Sequence, residues 1–95
     1  MLSQKIKNQI KNTARKYLKK DYRLFIFGSR VGGQKRKFSD IDLGILGKDK
    51  LPGHIVVKIK EEFENSPLPY KVDVVDFSKV SEDFKKVAIK QIIPL

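Results

Sequence analysis

The sequence predicts an α/β (α+β) fold, a small mixed β-sheet with helices on one face and the element order α-β-β-α-β-α. Three observations lead to it. Short runs of aromatic and β-branched residues are typical of strands, and apolar residues at three- and four-residue spacing are typical of amphipathic helices. The lengths of the connections then favour both antiparallel and parallel pairing. Ninety-five residues suffice for one small domain, so we expect a single domain over residues 1–95.

The chain begins with a predicted helix and a predicted strand. Residues 2–19 carry apolar side chains at helical spacing with lysines between them, and Ser3 is a candidate N-cap. The run YRLFIFG (22–28) is short, aromatic and branched, which indicates a strand ended by its glycine. The following residues, 29–39, are predicted to form a loop.

The second strand is predicted in residues 40–46, because polar and apolar residues alternate there. About a dozen residues without a full helix separate it from the first strand, so we expect the two to be antiparallel neighbours. One face of this strand is expected to point into the core and the other to stay open. The core face carries Ile41, Leu43 and Ile45, and the open face carries Asp40, Asp42 and Gly44.

The second half of the chain contains a helix, a strand and a last helix. Residues 54–65 have helical spacing, the run SPLPY interrupts the chain, and residues 71–77 indicate a third strand parallel to the second through a right-handed crossover. Ser78 or Ser81 is a candidate cap for the last helix. We expect that helix to bear Phe84, Val87, Ala88 and Ile92.

Composition excludes several classes of protein. The chain has no cysteine and one histidine, which excludes disulfides, thiolate metal sites and a zinc centre built from histidines. No run approaches the ~18 apolar residues of a membrane span, and the first residues lack the apolar stretch of a secretory signal. We therefore expect a cytoplasmic protein with no membrane association.

The net charge of +10 is compatible with a nucleic acid, an acidic protein, polyphosphate or a solvated lysine-rich surface. Nucleic-acid binding through bases would require aromatic residues among the basic ones. The phenylalanines fall mostly at predicted core positions instead. The sequence therefore disfavours direct nucleic-acid binding.

Asp40 and Asp42 leave the same face of a predicted strand about 6.6 Å apart along the chain. A divalent cation such as Mg²⁺ or Mn²⁺ would satisfy both carboxylates, although two aspartates on a strand can also simply deter aggregation. Antiparallel pairing brings Gly28 and Ser29 beside Asp40, where a glycine, a hydroxyl and backbone N–H groups can receive a phosphate. A P-loop is excluded, because Gln34 and Lys35 stand where that motif needs Lys and Ser/Thr.

The pair Gly28-Ser29, followed after ten residues by Asp40-Ile41-Asp42, resembles the signature of the DNA polymerase β-type nucleotidyltransferase superfamily. With FGSR and the ending KVDVVDF…SEDFKKVAIKQIIPL, the chain resembles its minimal nucleotidyltransferases, the antitoxins of HEPN-domain toxins. The resemblance implies the polymerase β-like nucleotidyltransferase fold over 1–95, as a single minimal nucleotidyltransferase domain. It also implies Mg²⁺-dependent transfer of AMP from ATP, with two ions, to a tyrosine hydroxyl of the HEPN toxin. The alternative is a catalytically weak antitoxin that neutralises its partner by binding alone.

The resemblance further implies a third carboxylate on the last strand, which offers Asp73 and Asp76. They lie three apart and hence on opposite faces, and Val72 and Val74 suit the core, so we expect Asp73 beside the first two. Asp76 would face solvent or cap the turn. The implied catalytic and metal-binding residues are Asp40, Asp42 and Asp73, and the implied phosphate-binding residues are Gly28, Ser29 and Arg30.

Two features of the loop leave alternatives open. This chain has GSRVGG where many relatives have GSRARG, so the role of Arg30 is less defined than that of Ser29. Residues 35–37 (Lys-Arg-Lys) can contact the triphosphate, the partner or only solvent.

The sequence is compatible with a homo-oligomer and with a hetero-oligomer.

Overall fold

The structure is a computed structural model that describes residues 3–27, 41–90 and 92–95. One mixed sheet in the strand order β3-β2-β1-β4 carries three helices, which confirms the predicted fold class. The helices are α1 (Gln4–Arg15), α2 (Gly53–Glu64) and α3 (Glu82–Ile89). The strands are β1 (Arg23–Phe27), β2 (Ile41–Leu46), β3 (Val72–Asp76) and β4 (Ile92–Pro94).

Strand pairing brings three strand ends together. β1 and β2 are antiparallel, and β2 and β3 are parallel, both as predicted. The backbone N–H of Ile41 donates to the carbonyl of Lys71 at 2.8 Å, which aligns the starts of β2 and β3. Because β1 runs the opposite way, it finishes where these two strands begin. We call this part of the sheet the site end.

The fourth strand corrects the sequence prediction, which placed Ile92 in the last helix. Ile92 and Ile93 instead pair antiparallel with Phe27 and Ile26 of β1. Two β-branched residues suit a strand, and Pro94 is tolerated because β4 is the outermost strand, where a missing backbone N–H interrupts no inner ladder. Over the described residues the element order is therefore the predicted one with a strand added.

The main core lies between one sheet face and the first two helices. Alternate residues of β1, β2 and β3 point into it, as expected for strands with one face in the core, and α1 and α2 contribute their apolar sides. Ser3 caps α1, its Oγ accepting from the N–H of Ile6 at 3.2 Å, as predicted. The buried members on the strands are Leu24, Ile26, Ile41, Leu43, Ile45, Val72 and Val74, and those on the helices are Ile10, Ala14, Ile59 and Phe63.

The third helix lies against the other face, so the prediction of helices on one face holds only for α1 and α2. Phe25, Phe27 and Phe77 form a second buried cluster, and Ala88 of α3 packs against it. The ring of Phe84, at the start of α3, lies 6.2 Å from that of Phe27 between centroids. Ser81, one of the two predicted caps, accepts from the Phe84 N–H at 3.1 Å. The face that was expected to be open is therefore partly covered by aromatic side chains.

A polar contact at the surface joins the residues that directly follow α1 to α2. The Tyr17 hydroxyl donates to Glu62 at 2.9 Å, and the Lys16 ammonium lies 3.3 Å from the second oxygen of the same carboxylate. These two contacts, the Tyr17 hydrogen bond first, lower the pKa of Glu62 below its usual value. The same hydrogen bond raises the pKa of Tyr17. No helix of the described residues is long and apolar enough to cross a membrane.

Candidate active site

Two of the predicted carboxylates face each other across neighbouring strands. Asp42 of β2 and Asp73 of β3 are Cα partners in the parallel register, and adjacent strands lie about 4.8 Å apart. The flanking residues of both strands point into the main core, so both aspartates leave the opposite face. Asp42 is half-buried and Asp73 is exposed. The site end of the sheet therefore presents a pair of carboxylates in register, one of them open to solvent.

The end of β1 lies directly beside this pair. Phe27, its last residue, is the Cα partner of Asp42 across the antiparallel register. The predicted phosphate-binding residues Gly28, Ser29 and Arg30 follow Phe27 in the chain, and Asp40 precedes β2, but all four lie outside the described residues. The structure thus describes two of the six predicted site residues and the strand ends from which the others continue.

Asp76 forms hydrogen bonds within the fold, away from the site end. It is 8% exposed and accepts hydrogen bonds from the N–H of Leu51 at 2.9 Å, and from the N–H and hydroxyl of Ser78 at 3.0 and 2.7 Å. Of the two predicted alternatives, capping the turn after β3 is confirmed and facing solvent is wrong. The carboxylate joins the segment before α2 to the end of β3, three residues from the site end.

Aromatic rings cover the same face beyond the carboxylates. Gly44, two residues along β2 from Asp42, is buried under Phe25 and Phe77, whose ring centroids are 4.8 Å apart. A Cβ on Gly44 would overlap Phe25 and lie 2.8 Å from a ring carbon of Phe77. Next to the carboxylates this face is therefore packed with aromatic rings, which the sequence did not predict.

Sequence reasoning also missed a concavity beside Asp73, which we call the β3-edge pocket. It has a volume of about 340 Å³ and lies between the end of α2, the segment 66–71 and the start of β3. Buried Phe63 and Val72 form part of its lining, and exposed Lys60, Lys71 and Asp73 form another part. All of its lining residues lie within the continuous stretch 60–73, which leads from the end of α2 into β3. The sequence feature that marks this region is the run SPLPY (66–70), whose prolines interrupt regular structure between α2 and β3.

The donor set at the site end suits a hard divalent cation. Two carboxylates in register offer only oxygen ligands, which Mg²⁺ prefers. Within the described ranges no three His, Cys, Asp or Glu side chains come together, and Asp40, the third predicted oxygen donor at this end, lies outside those ranges. The carboxylates of Asp42 and Asp73 would supply part of the coordination sphere of a magnesium ion.

The mixed sheet in the order β3-β2-β1-β4 matches the fold of the polymerase β-like nucleotidyltransferases. The chain belongs to the family described as polymerase β nucleotidyltransferases, whose model matches residues 8–95. This confirms the superfamily that the Gly-Ser and Asp-Ile-Asp motifs indicated.

Within this family, the chain is similar to a relative that is named as an enzyme. The chain is 41% identical over 70 residues to a probable protein adenylyltransferase, MntA, of Haemophilus influenzae, a match that covers 74% of this chain and 61% of the relative. The chain thus spans about three fifths of the length of that relative.

Two solved structures share the fold. A crystal structure of a toxin–antitoxin pair with AMP-PNP matches with a TM-score of 0.75 and 26% identity, over 92% of this chain and 69% of that one. A structure of a tri-AMPylated HEPN toxin of Shewanella oneidensis with its MNT antitoxin matches with a TM-score of 0.74 and 24% identity, over 98% and 71%.

Proposed function

We propose that this chain is a Mg²⁺-dependent nucleotidyltransferase that transfers AMP from ATP to a tyrosine hydroxyl of a HEPN-domain partner, and so acts as an antitoxin. The observation that carries the proposal is the in-register pair Asp42 and Asp73 on one sheet face at the end of β1. Family membership and a relative named as a protein adenylyltransferase support it. The similar toxin–antitoxin structure with AMP-PNP supports ATP as the nucleotide.

Asp40, Asp42 and Asp73 would hold the metal, and we propose two magnesium ions. Magnesium supplies positive charge that neutralises the triphosphate and the transition state. Asp40 follows from the sequence alone, since it is two residues from Asp42 and would share its face in a continued strand.

The reaction is a substitution at the α-phosphorus of ATP. The acceptor oxygen forms a bond to that phosphorus while the bond to the oxygen that bridges to the β-phosphate breaks, and pyrophosphate leaves with the electron pair. The proton of the acceptor hydroxyl passes to the Asp73 carboxylate, which acts as the general base. Its exposure makes Asp73 accessible to an incoming hydroxyl, whereas Asp42 is half-buried beside Phe27.

Gly28, Ser29 and Arg30 would bind the β- and γ-phosphates. Gly28 follows the residue that pairs with Asp42, so the chain leaves β1 next to the carboxylates. A glycine permits close approach of the backbone to a phosphate, and the Ser29 hydroxyl and Arg30 guanidinium supply donors.

The experiment mixes the purified chain with Mg²⁺, ATP labelled at the α-phosphate and the HEPN protein proposed as its partner. We expect covalent label on a tyrosine of the partner, located by peptide mass spectrometry, and none when EDTA replaces Mg²⁺. A stable complex without any label would refute the enzymatic proposal and favour neutralisation by binding alone. Label on unrelated proteins to the same extent would refute the dedicated partner.

A further inference from the structure

Phe84, near the start of α3, is a large aromatic side chain that the fold leaves exposed. Its side chain is 45% exposed, whereas the rings against the same sheet face, Phe25, Phe27 and Phe77, are at most 6% exposed. Among the residues that the structure describes, the other exposed large apolar side chain is Val57, on α2, which packs against the main core. A single exposed apolar residue is ordinary at a protein surface, so its position decides whether it has a role.

Phe84 lies over the sheet face from which Asp42 and Asp73 project. Its ring centroid is 6.2 Å from that of Phe27, and the two rings are nearly perpendicular at 87°. Phe27 and Asp42 are Cα partners in the antiparallel register, and directly opposite residues of such a pair share a face. Val75, two residues along β3 from Asp73 and therefore on its face, packs against the same aromatic cluster. The exposed ring therefore contacts the side chain that adjoins Asp42.

Two buried rings support Phe84 from the protein side. The centroid of Phe77 lies 5.9 Å from that of Phe84 and the centroid of Phe27 lies 6.2 Å from it, both within the range of interacting aromatic pairs. Ser81, the cap of α3, accepts from the backbone N–H of Phe84 and so holds the main chain at this residue. The ring thus has a fixed place and an open surface. A nucleobase suits such a surface, because bases stack on aromatic side chains through their flat faces.

We infer that Phe84 is the residue on which the base of the bound nucleotide stacks. The inference rests on the nucleotide binding in the proposed function and adds a base-binding position to it. The carboxylates of Asp42 and Asp73, through magnesium, would hold the phosphates, and only the ribose lies between the α-phosphate and the base. A nucleotide that extends from the carboxylates along this face therefore brings its base to Phe84. Because every base has a flat face, the contact contributes affinity and does not by itself select adenine.

Substitutions that remove or keep the ring test this contact. Phe84→Leu keeps an apolar side chain that favours a helix but removes the aromatic face, whereas Phe84→Tyr keeps that face. Isothermal titration measures the affinity for AMP-PNP with Mg²⁺, and inorganic tripolyphosphate with Mg²⁺ serves as the ligand without a base. We expect Phe84→Leu to weaken AMP-PNP binding by about tenfold, as for the loss of one stacked base, and to leave tripolyphosphate binding unchanged. Phe84→Tyr should match the wild type, as should Val57→Ala, the control for an exposed apolar side chain on the other side of the sheet.

A second measurement observes the ring itself in the wild-type chain. The phenylalanine rings are labelled with ¹³C, and the Phe84 signals are identified as those missing from the spectrum of Phe84→Tyr. We expect AMP-PNP with Mg²⁺ to shift the Phe84 ring signals, because the ring current of the stacked base acts on them. Tripolyphosphate with Mg²⁺ should leave them in place.

The outcomes separate the inference from the proposed function. Equal loss of affinity for AMP-PNP and tripolyphosphate in Phe84→Leu, or Phe84 signals that do not respond to AMP-PNP, would overturn base stacking. Unchanged AMP-PNP affinity with weaker binding of the HEPN partner would overturn it as well and make Phe84 a partner contact. A wild-type chain that stacks AMP-PNP on Phe84 but transfers no AMP would refute the enzymatic proposal and leave the base-binding position standing. A wild-type chain that binds no AMP-PNP would overturn both.

Discussion

Asp76→Asn and Asp73→Asn are expected to separate stability from catalysis on a single strand. The two aspartates lie three residues apart on β3 and point to opposite faces. Asp76 is 8% exposed and accepts three hydrogen bonds, whereas Asp73 is exposed at the site end. We expect the Asp76 variant to lose stability and keep its AMP-transfer activity. We expect the Asp73 variant to keep its stability and lose AMP transfer.

The magnitude for Asp76→Asn follows from its partners. The Leu51 N–H donates to one carboxylate oxygen, and both groups of Ser78 donate to the other. An asparagine oxygen can replace only one of these, so its best orientation leaves the N–H of Leu51, a residue 3% exposed, facing an NH₂ group. An unsatisfied buried donor costs about 1–3 kcal/mol, and the two retained bonds lose their charge assistance. The sum is about 2–4 kcal/mol, or a Tm lowered by about 10–25 °C for a domain of this size.

The assay is thermal unfolding by circular dichroism together with AMP transfer well below the lower Tm. For Asp73→Asn we expect a change within about 0.5 kcal/mol, since it is an exposed position, and a loss of transfer of about 10²- to 10⁴-fold, since it removes the general base. A Tm of Asp76→Asn equal to that of the wild type would refute the hydrogen-bond argument. Loss of transfer in a folded Asp76 variant, with transfer retained in the Asp73 variant, would show that the third carboxylate is Asp76.

Three further predictions concern packing, pH and charge. Gly44→Ala should destabilise the fold by about 1–3 kcal/mol in urea unfolding, because its Cβ overlaps aromatic rings; Gly53→Ala, with open space around it, should not, and equal effects would contradict the packing argument. Since the folded state lowers the pKa of Glu62, its contribution is present above the unfolded pKa and lost as pH falls through the folded one. The stability advantage of the wild type over Glu62→Gln should therefore shrink on acidification below about pH 4.5, and a constant difference would contradict it. Alanines at residues 35–37 should weaken Mg²⁺-ATP binding in titration calorimetry with little effect on partner association; unchanged affinity would assign these residues to the partner or to solvent.

Short aromatic and branched runs together with alternation were enough to predict the three main strands, and alternation predicted the orientation of the aspartates on β2 and β3. Ile41, Leu43 and Ile45 are all fully buried, so their neighbour Asp42 had to leave the other face. The same argument separated Asp73 from Asp76, and the structure puts only Asp73 in register with Asp42. Site geometry that follows from a two-residue period was therefore predictable.

The remaining features depend on contacts between distant segments. β4 has three residues, too few to show a period, and its partner β1 is more than sixty residues earlier in the chain. The spacing of apolar residues in α3 does not specify which face of the sheet the helix covers. A signal did exist in β1, where the four consecutive residues from Leu24 to Phe27 are apolar, because such a run is typical of a strand covered on both faces. All four are buried in the structure.

The most direct test of the central claim measures AMP transfer and complex formation for Asp42→Asn in the same preparation. Asp42 pairs with Asp73 on one side and with Phe27 on the other, so it is the described carboxylate at the centre of the site end. With α-labelled ATP, Mg²⁺ and the HEPN partner, we predict transfer reduced at least a hundredfold. The partner should still bind, and the circular dichroism spectrum should match the wild type. Transfer at the wild-type rate by the folded variant would contradict a metal-dependent mechanism at these carboxylates.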